Sequence, residues 1–457
     1  MKPILLPIFS LFFSAGFAAG LADERRLADD PRIRQALHLY EQWVDAKLAY
    51  DRIPGGSLGL VVDQELVWAR GFGWADVDSQ RPASSETLYS ICSISKLFTS
   101  IAILQLRDAG RLRLDDPVSQ YVPEAEIEAA DATAPPVTLR ALLTHSSGMP
   151  RESAHPYWTG PDFPFPDRDQ ILDGLKEQRM LYPTDRFFQY SNLGMTMLGW
   201  VVEAVSGQPF EEYVRERILD PLALKRTTPQ MPEAEVGRSL ATGYGVLGRE
   251  RHRRAMPFFQ GKGIGPAAGF ASSVEDLAKF ASWQFRLLGS SGQEVLSPHT
   301  LREMHRVHWV DPDWKTTWGL GFVVRQQGED TVVGHGGSCP GYRSQISLLP
   351  RKKVAAIAMF NAMGVSPAPF VEQLTKLTGP LVAKAGEKSS ESEPHPPEME
   401  DYSGLYRSDW GELLIVPWEK EIAALYLPTN EIQENLIRLR RQDGDVFRRV
   451  RKDSDDL

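Results

Sequence analysis

The sequence predicts an α+β protein that carries a small β-rich module at its carboxyl end. Apolar residues recur at helical spacing in residues 32–50 and again in 93–110. Late in the chain four segments alternate like adjacent antiparallel strands, namely 319–324, 331–334, 345–349 and 355–360. Because helices and strands occur in separate runs rather than alternating, an antiparallel sheet is expected.

The domain boundaries follow from changes in composition. Residues 385–400 are charged and contain three prolines, which indicates a linker between a large domain at 30–384 and a small β-rich module at 401–457. Short strands are predicted in that module at 412–417, 422–427, 436–439 and 445–450. This β-meander lacks His and Cys, so we expect it to do no chemistry and to support or partly cover the cleft.

The amino terminus predicts a secretory signal peptide at 1–22. A lysine at position 2 precedes an apolar run from Ile4 to Ala19, and small residues surround Gly20. The alternative is an uncleaved membrane anchor, but the run is short for a bilayer span. We therefore expect a secreted or periplasmic protein with no stable membrane span after cleavage.

Composition excludes several classes of function. The chain has 457 residues, 42% of them hydrophobic, and a net charge of −9, so it can bury a large core but has no basic stripe for nucleic acid. Two cysteines are too few for a zinc ribbon or a disulfide-rich scaffold. His305 and His308 stand three apart without a carboxylate or Cys motif beside them. No metal and no organic cofactor is expected.

Two serine motifs compete for the role of nucleophile. Residues 55–59 match the G-x-S-x-G pattern, which requires a strand before it and a helix after it. Here a predicted helix precedes and a hairpin of 57–62 and 65–71 follows, so we interpret this motif as the glycine-rich start of a strand. Ser93 and Lys96, in contrast, begin a predicted buried helix that stops at Gly110.

The spacing of Ser93 and Lys96 suits nucleophilic catalysis. Residues i and i+3 share a helix face, so the lysine amine can lie beside the serine hydroxyl. Burial lowers a lysine pKa, and a neutral amine can then act as the base that a serine nucleophile needs. Lys96 is the only lysine with Ser three positions before it, although chance could still produce one such pair.

The middle of the chain is predicted to be helical around a cleft. A short helix at 139–143 is followed by a loop at 150–166 that is rich in Pro, aromatic residues and Gly, as expected of a loop over a cleft. Further helices are predicted at 169–180, 195–205, from 274 onward, and at 371–381.

Two later motifs add candidate site residues. Tyr190 and Asn192 form the only Tyr-x-Asn, and His335 with Gly337 the only His-x-Gly, which we place between strands. A phenol can relay a proton if a nearby cation lowers its pKa, and an amide can anchor both the lysine and a substrate carbonyl. Each also has a structural explanation, as a core aromatic and as a turn histidine.

Taken together, the three motifs resemble the serine β-lactamase and penicillin-binding-protein superfamily. There S-x-x-K, then Y-x-N or S-x-N, then K-T-G or H-x-G follow in this order. The resemblance covers roughly residues 35–380 and includes 142–148 and 269–273. It implies a β-lactamase/transpeptidase-like fold, an antiparallel sheet flanked by helices with an all-helical subdomain. The Y-x-N form is similar to the class C β-lactamase, D-alanyl-D-alanine carboxypeptidase and esterase branch.

The resemblance implies acyl transfer by a serine hydrolase. Ser93 would attack a carbonyl while Lys96 and Tyr190 move its proton. The backbone N–H groups of Ser93 and Ser338 would form the oxyanion hole. The resemblance assigns substrate binding to four residues, Asn192, His335, Gly336 and Gly337.

The substrate is expected to be a small molecule or peptide: a D-amino-acid peptide, an ester or a β-lactam. His335 replaces the Lys of class C β-lactamases, as in D-stereospecific peptidases and esterases of the family, which argues against efficient β-lactam hydrolysis. The alternative is a penicillin-binding sensor that is acylated at Ser93 with little turnover. The oligomeric state is left open.

The implied oxyanion hole also bears on the two cysteines. If the nitrogens of Ser93 and Ser338 point at one oxyanion, Cys92 and Cys339 could have Cα atoms within about 7 Å, the reach of a disulfide. A bridge at this place resembles that of carbapenem-hydrolysing class A β-lactamases. The other possibility is two buried thiols that pack as small hydrophobic groups.

Overall fold

The structure is a computed structural model that describes residues 26–155, 157–385, 397–409, 411–418 and 421–450. The predicted signal peptide at 1–22 and residues 386–396 of the predicted linker lie outside this part of the chain. Within the described part, no helix has both the length and the apolar character that a bilayer crossing requires.

Eleven α-helices are assigned in the described residues. Their bounds are α1 Pro31–Asp51, α2 Ser95–Asp108, α3 Leu139–Leu143, α4 Arg168–Leu175, α5 Asn192–Ser206, α6 Phe210–Val214, α7 Gly265–Ala268, α8 Val274–Leu288, α9 Pro298–Met304, α10 Ala368–Ala385 and α11 Ile432–Asn435.

The strands of the same part of the chain are assigned as follows. Their bounds are β1 Gly55–Val62, β2 Glu65–Asp76, β3 Arg81–Pro82, β4 Tyr89–Ser90, β5 Ala271–Ser272, β6 Trp309–Val310, β7 Thr317–Trp318, β8 Val323–Gln327, β9 Asp330–Cys339, β10 Tyr342–Leu349, β11 Val354–Phe360, β12 Gly404–Ser408, β13 Gly411–Trp418, β14 Glu421–Leu427, β15 Leu436–Asp443 and β16 Val446–Arg449.

A nine-stranded antiparallel sheet divides the large domain into two layers. Its strand order is β3-β2-β1-β11-β10-β9-β8-β7-β6. Side chains of a strand alternate between the two faces, and β11 shows the consequence. Ile357 and Met359 pack into the core on the side of α2 and α8, whereas Ala358 and Phe360 pack into a second core beneath α1 and α10. This fold is the β-lactamase/transpeptidase-like arrangement that the sequence predicted.

The C-terminal module is a five-stranded antiparallel meander, β12 to β16, on the α1 and α10 side. Trp43 of α1 donates its indole N–H to the Thr429 carbonyl at 2.9 Å, and Gln373 of α10 donates to the Glu431 carboxylate at 2.8 Å. The module therefore lies behind the sheet. Its first strand, β12, was not predicted.

Local rules account for the helices nearest the site. Ser191 caps α5 by accepting the N–H of Gly194 at 2.8 Å, and Gly207 ends the helix with a φ of 76°. The helix predicted to begin near Ser93 begins as α2 at Ser95, because Cys92–Ile94 forms a preceding 3₁₀ turn. His335 also differs from expectation, since it lies inside β9 rather than between strands.

Candidate active site

The turn before α2 holds Ser93 in a strained backbone. Cys92 has a φ of 52°, the left-handed conformation that side chains other than Gly rarely adopt. Such conformations persist only where the surrounding structure enforces them, and they concentrate at functional sites. Here Cys92 is joined by a disulfide to Cys339, with 5.8 Å between their Cα atoms. The link ties the nucleophile turn to the end of β9.

Lys96 lies fully buried in the first turn of α2. Its Nζ lies 3.1 Å from Ser93 Oγ and donates to the Ala267 carbonyl of α7 at 2.7 Å. Burial holds the Lys96 pKa well below its usual range, against the opposing effect of the Glu152 charge. The environment thus favours a neutral amine beside the Ser93 hydroxyl, which is the state that a general base requires.

Tyr190 lies over this pair. The Lys96 Nζ is 4.9 Å from its ring centroid, and the His145 ring centroid is 4.3 Å away. Burial raises the Tyr190 pKa well above its usual value, against the opposing effects of Ser93 and Arg151. The expected lowering of the phenol pKa by a nearby cation is not met, because burial outweighs the effect of Arg151. Tyr190 remains a neutral phenol, suited to passing a proton between neighbours.

His335 faces the site from β9. Its Nδ1 lies 2.6 Å from the Gly336 carbonyl oxygen, and a carbonyl can only accept, so Nδ1 carries the proton and Nε2 is an acceptor. Burial is the main cause that lowers the His335 pKa to about 3. The residue thus places a neutral acceptor in the cleft, where a lysine would place a cationic donor.

The outer half of β9 is open on one edge. Its pairing with β8 ends at Val323 and Gly334, whereas its pairing with β10 continues to Cys339. Gly337 lets this edge approach the nucleophile turn, because a Cβ there would lie 2.2 Å from the Ile91 carbonyl oxygen. An extended substrate could therefore pair with β9 directly opposite Ser93.

Asn192 is oriented by a carboxylate that the sequence analysis missed. Glu152, in the loop after α3, accepts from Asn192 Nδ2 at 2.6 Å and from the Tyr157 hydroxyl. Because a carboxylate only accepts, the Asn192 amide nitrogen must face it. The Asn192 Oδ1 is buried without a hydrogen-bond partner among the described residues. Glu152 takes only one of the two amide hydrogens, so anchoring of a substrate carbonyl by the other stays a prediction.

These residues line one cleft of about 870 Å³. Of the predicted site residues, eight contribute to its lining, Ser93, Tyr190, Asn192, His335, Gly336, Gly337, Ser338 and Cys339. Lys96 and Cys92 lie directly behind them. Apolar groups also line the cleft, namely Trp158, Phe163 and Met256. The lining residues all precede residue 369. The part of the C-terminal module that the structure describes therefore does not line the cleft, in contrast to one of its two expected roles.

Two further lining residues escaped sequence reasoning, Arg151 and Glu152. Arg151 lies over the Tyr190 ring, 4.8 Å from its centroid, and its Nε is 3.3 Å from Glu152. Both lie in the 150–166 loop, whose prolines and aromatic residues predicted a loop over a cleft but no particular polar site residue. A loop has no periodicity that indicates the direction of a side chain.

Comparison with known proteins agrees with this geometry. A family model described as "Beta-lactamase" matches residues 40–378. "Penicillin-binding protein 4" of Amycolatopsis lactamdurans is 26% identical over 388 residues, which are 81% of this chain and 98% of that protein. "Beta-lactamase-like protein 2" of Dictyostelium discoideum is 25% identical over 358 residues, 77% of this chain but only 64% of that protein's length.

Solved structures show the same fold. The octameric penicillin-binding protein homologue from Pyrococcus abyssi superposes with a TM-score of 0.65 and 27% identity, over 88% of this chain and 90% of that one. The D-stereospecific amidohydrolase from Streptomyces sp. superposes with a TM-score of 0.59 and 24% identity, over 74% and 97%.

Proposed function

The chain belongs to the β-lactamase family within the serine β-lactamase and penicillin-binding-protein superfamily, and we propose that it is a serine hydrolase that forms an acyl-enzyme on Ser93. The observation that carries the proposal is the contact between a buried lysine and the serine, 3.1 Å between Lys96 Nζ and Ser93 Oγ. Burial keeps that amine in its basic form.

The proposed reaction has two halves. Ser93 Oγ attacks the substrate carbonyl carbon while its proton passes to Lys96. The N–H groups of Ser93 and Ser338 stabilise the oxyanion. The carbon–nitrogen or carbon–oxygen bond to the leaving group then breaks. The leaving group takes the proton from Lys96 through Tyr190. Water next attacks the ester, giving its proton to Lys96, and Ser93 is regenerated with release of the acid.

The proposed substrate class is an amide of the D-amino-acid type or an ester, with β-lactams as poorer substrates. His335 supports this choice, because a neutral histidine with a pKa near 3 supplies no cation to a β-lactam carboxylate. The signal sequence at 1–22 supports export to the periplasm or the medium.

The decisive experiment is Ser93→Ala against a fluorophosphonate probe and a panel of D-amino-acid amides, short-chain esters and β-lactams. The wild-type chain should be labelled on Ser93 and turn over at least one class, and the variant should do neither. Ser291→Ala, at an exposed position outside the cleft lining, is the matched control. Labelling of the Ser93→Ala variant would refute the proposal.

The alternative, a sensor that is acylated and barely turns over, is favoured by the match to a relative named penicillin-binding protein over 98% of that relative's length. Incubation with a fluorescent penicillin separates the two functions. An adduct that persists for hours without turnover of any substrate supports the sensor. Rapid release, or no labelling with turnover of amides, supports the hydrolase.

A further inference from the structure

The Arg253 guanidinium is buried against backbone carbonyl oxygens rather than against carboxylates in the described part of the chain. Only 9% of the residue is exposed, and burial lowers its pKa, against a smaller opposing effect of the Asp51 charge. The Asp51 carboxylate itself pairs with Lys47 at 2.8 Å. A buried charge is unfavourable unless hydrogen bonds satisfy it, so the surroundings of Arg253 must supply acceptors.

Four hydrogen bonds join Arg253 to three segments of the chain. Its Nε donates to the Arg52 carbonyl at 2.7 Å, and its Nη2 donates to the Asp51 carbonyl at 3.2 Å. Its Nη1 donates to the carbonyls of Gly245 and Met363 at 2.9 and 2.6 Å. An arginine carries five N–H donors in a planar fork, so this single side chain can hold the three segments together.

One of these segments is the well-packed end of α1. The helix ends at Asp51, and Arg52 follows it with a left-handed φ of 48°. The last carbonyls of a helix have no partner within the helix, and a cation near them is favourable. The apolar residues of α1 pack into the second core beneath the sheet. Arg253 thus fastens the other two segments to a fixed point of the fold.

The other two segments form one wall of the cleft. The Tyr244 N–H donates to the Asn361 carbonyl at 2.9 Å, and the Met363 N–H donates to the Tyr244 carbonyl at 2.8 Å. The Met256 N–H donates to the Gly243 carbonyl at 2.8 Å. Met256 and Met363 both line the cleft, and we call these two side chains the methionine wall. Both therefore lie on segments that the buried guanidinium holds together.

We propose that Arg253 is a positioning residue: it holds the methionine wall in place, and the wall binds an apolar group of the substrate. The inference rests on the proposed acyl-enzyme function and concerns substrate binding at that same site. Arg253 is not part of the cleft lining, so it acts through Met256 and Met363. Methionine side chains are apolar and adaptable, and a wall whose backbone is already fixed loses less entropy when a ligand binds.

The test separates binding from reactivity with two fluorophosphonate probes, one with an ethyl and one with an octyl chain. Both react when Ser93 Oγ bonds to phosphorus, fluoride leaves and the serine proton passes to Lys96. In Arg253→Ala, the octyl probe concentration that gives the half-maximal labelling rate should rise at least about fivefold, and that of the ethyl probe less than about twofold. The maximal rates should stay within about twofold of wild type. No rise, an equal rise for both probes, or a larger fall in maximal rate would overturn the inference.

A double-mutant cycle tests whether Arg253 acts through the methionine wall. Replacing Met256 and Met363 together by alanine should by itself weaken binding of the octyl probe at least about fivefold. Adding Arg253→Ala to that variant should weaken binding further by less than about twofold, because the wall that Arg253 positions is already gone. Effects that multiply would show that Arg253 acts on the site independently of the wall, and they would overturn the inference.

Arg254→Ala is the matched control, because Arg254 is the exposed neighbour of Arg253. It should leave the binding of both probes unchanged. A thermal melt of each variant shows that a change in labelling is not a loss of folding. No labelling of Ser93 in the wild-type chain would refute the acyl-enzyme function. Labelling of Ser93 without a difference between the two probes in Arg253→Ala would leave that function standing and overturn the role of Arg253.

Discussion

Polar side chains at the junction with the C-terminal module and polar side chains in the cleft differ in how fully they are hydrogen-bonded. At the junction with the C-terminal module, Gln373 donates to Glu431 and accepts from the Ile432 N–H, while Lys376 pairs with the same carboxylate at 3.0 Å. In the cleft, Asn192 and His335 each keep a buried acceptor without a partner. A saturated junction stabilises the fold. A buried acceptor without a partner lowers stability instead.

The same contrast holds for charge. The carboxylate at the module junction, Glu431, has its pKa lowered by the side chains of Lys376 and Gln373, so its charge is stabilised. Lys96 in the cleft has its pKa lowered by burial, so its charge is destabilised. Keeping this one amine neutral therefore lowers the stability of the protein. Four changes, taken from the largest expected effect, would break or sharpen this comparison.

The largest effect is expected for Lys96→Arg. Arginine replaces the neutral amine by a guanidinium that stays protonated, so the base is lost. The rate of Ser93 labelling should fall by about 10²–10⁴-fold, the range for loss of a general base. In the wild-type chain the rate should fall as the pH drops through the Lys96 pKa. Lys225→Arg, at an exposed position, is the control. A labelling rate of Lys96→Arg within about twofold of wild type would contradict the assignment.

The next effect concerns the link across the cleft. Replacing Cys92 and Cys339 together by serine opens a loop of 247 residues, for which chain entropy gives an upper value of about 5 kcal/mol of stability. Chemical unfolding should show a loss of about 2–5 kcal/mol, and Ser93 labelling should slow because the nucleophile turn is no longer tied to β9. Two alkylatable thiols in the unreduced, unfolded wild-type protein would show that the bond is not formed.

A core change in the module should separate stability from chemistry. Leu425 of β14 is fully buried in the second core, and Leu425→Ala should cost about 2–5 kcal/mol in unfolding free energy. Ser93 labelling of the folded variant should be unchanged, because the module lies behind the sheet. Leu405→Ala, at a side chain 57% exposed, should cost less than about 0.5 kcal/mol. Loss of labelling in folded Leu425→Ala would mean that the module acts on the site.

The smallest effect is on acid stability. Burial lowers the pKa of His145, His305 and His335, so below about pH 6.5 the unfolded chain binds protons that the folded chain does not. Stability therefore falls as the pH falls, by about 1.4 kcal/mol per pH unit for each histidine. His305 lies away from the cleft lining. His305→Gln should therefore reduce the loss of stability by about 1.4 kcal/mol per pH unit between pH 6 and 4. Parallel profiles of unfolding free energy against pH for the variant and the wild-type chain would contradict this prediction.

Sequence pattern predicted the layers of the fold well. Apolar periodicity indicated α1 and α8, and alternation indicated β10, because each of these elements buries mainly one face or one stripe. The helix α5 and the strand β11 were also predicted, but they are buried on both faces. Sequence pattern failed for β12, whose side chains are mostly exposed and therefore carry no alternation. It also placed His335 between strands, because the two glycines that follow it are typical of a turn. They lie in the half of β9 that does not pair with β8.

The ordered motifs indicated which residues meet. Ser93, Tyr190 and His335 are far apart in the chain, yet all three line the cleft. The motifs did not show how the polar atoms of these side chains are oriented. Sequence reasoning gave Asn192 the task of anchoring a substrate carbonyl, and only the structure shows that its amide nitrogen donates to Glu152 while Oδ1 is buried without a partner among the described residues.

From the order and spacing of its residues alone, this chain could be assigned an α+β fold, a serine–lysine pair on one helical turn and a family. Such features depend on neighbours within a few residues, or on motifs that a resemblance joins. The protonation of Lys96, the tautomer of His335 and the direction of Asn192 became clear only in the folded structure. Each depends on burial and on partners from distant loops and strands, Ala267, Gly336 and Glu152 among them, and packing alone brings those together.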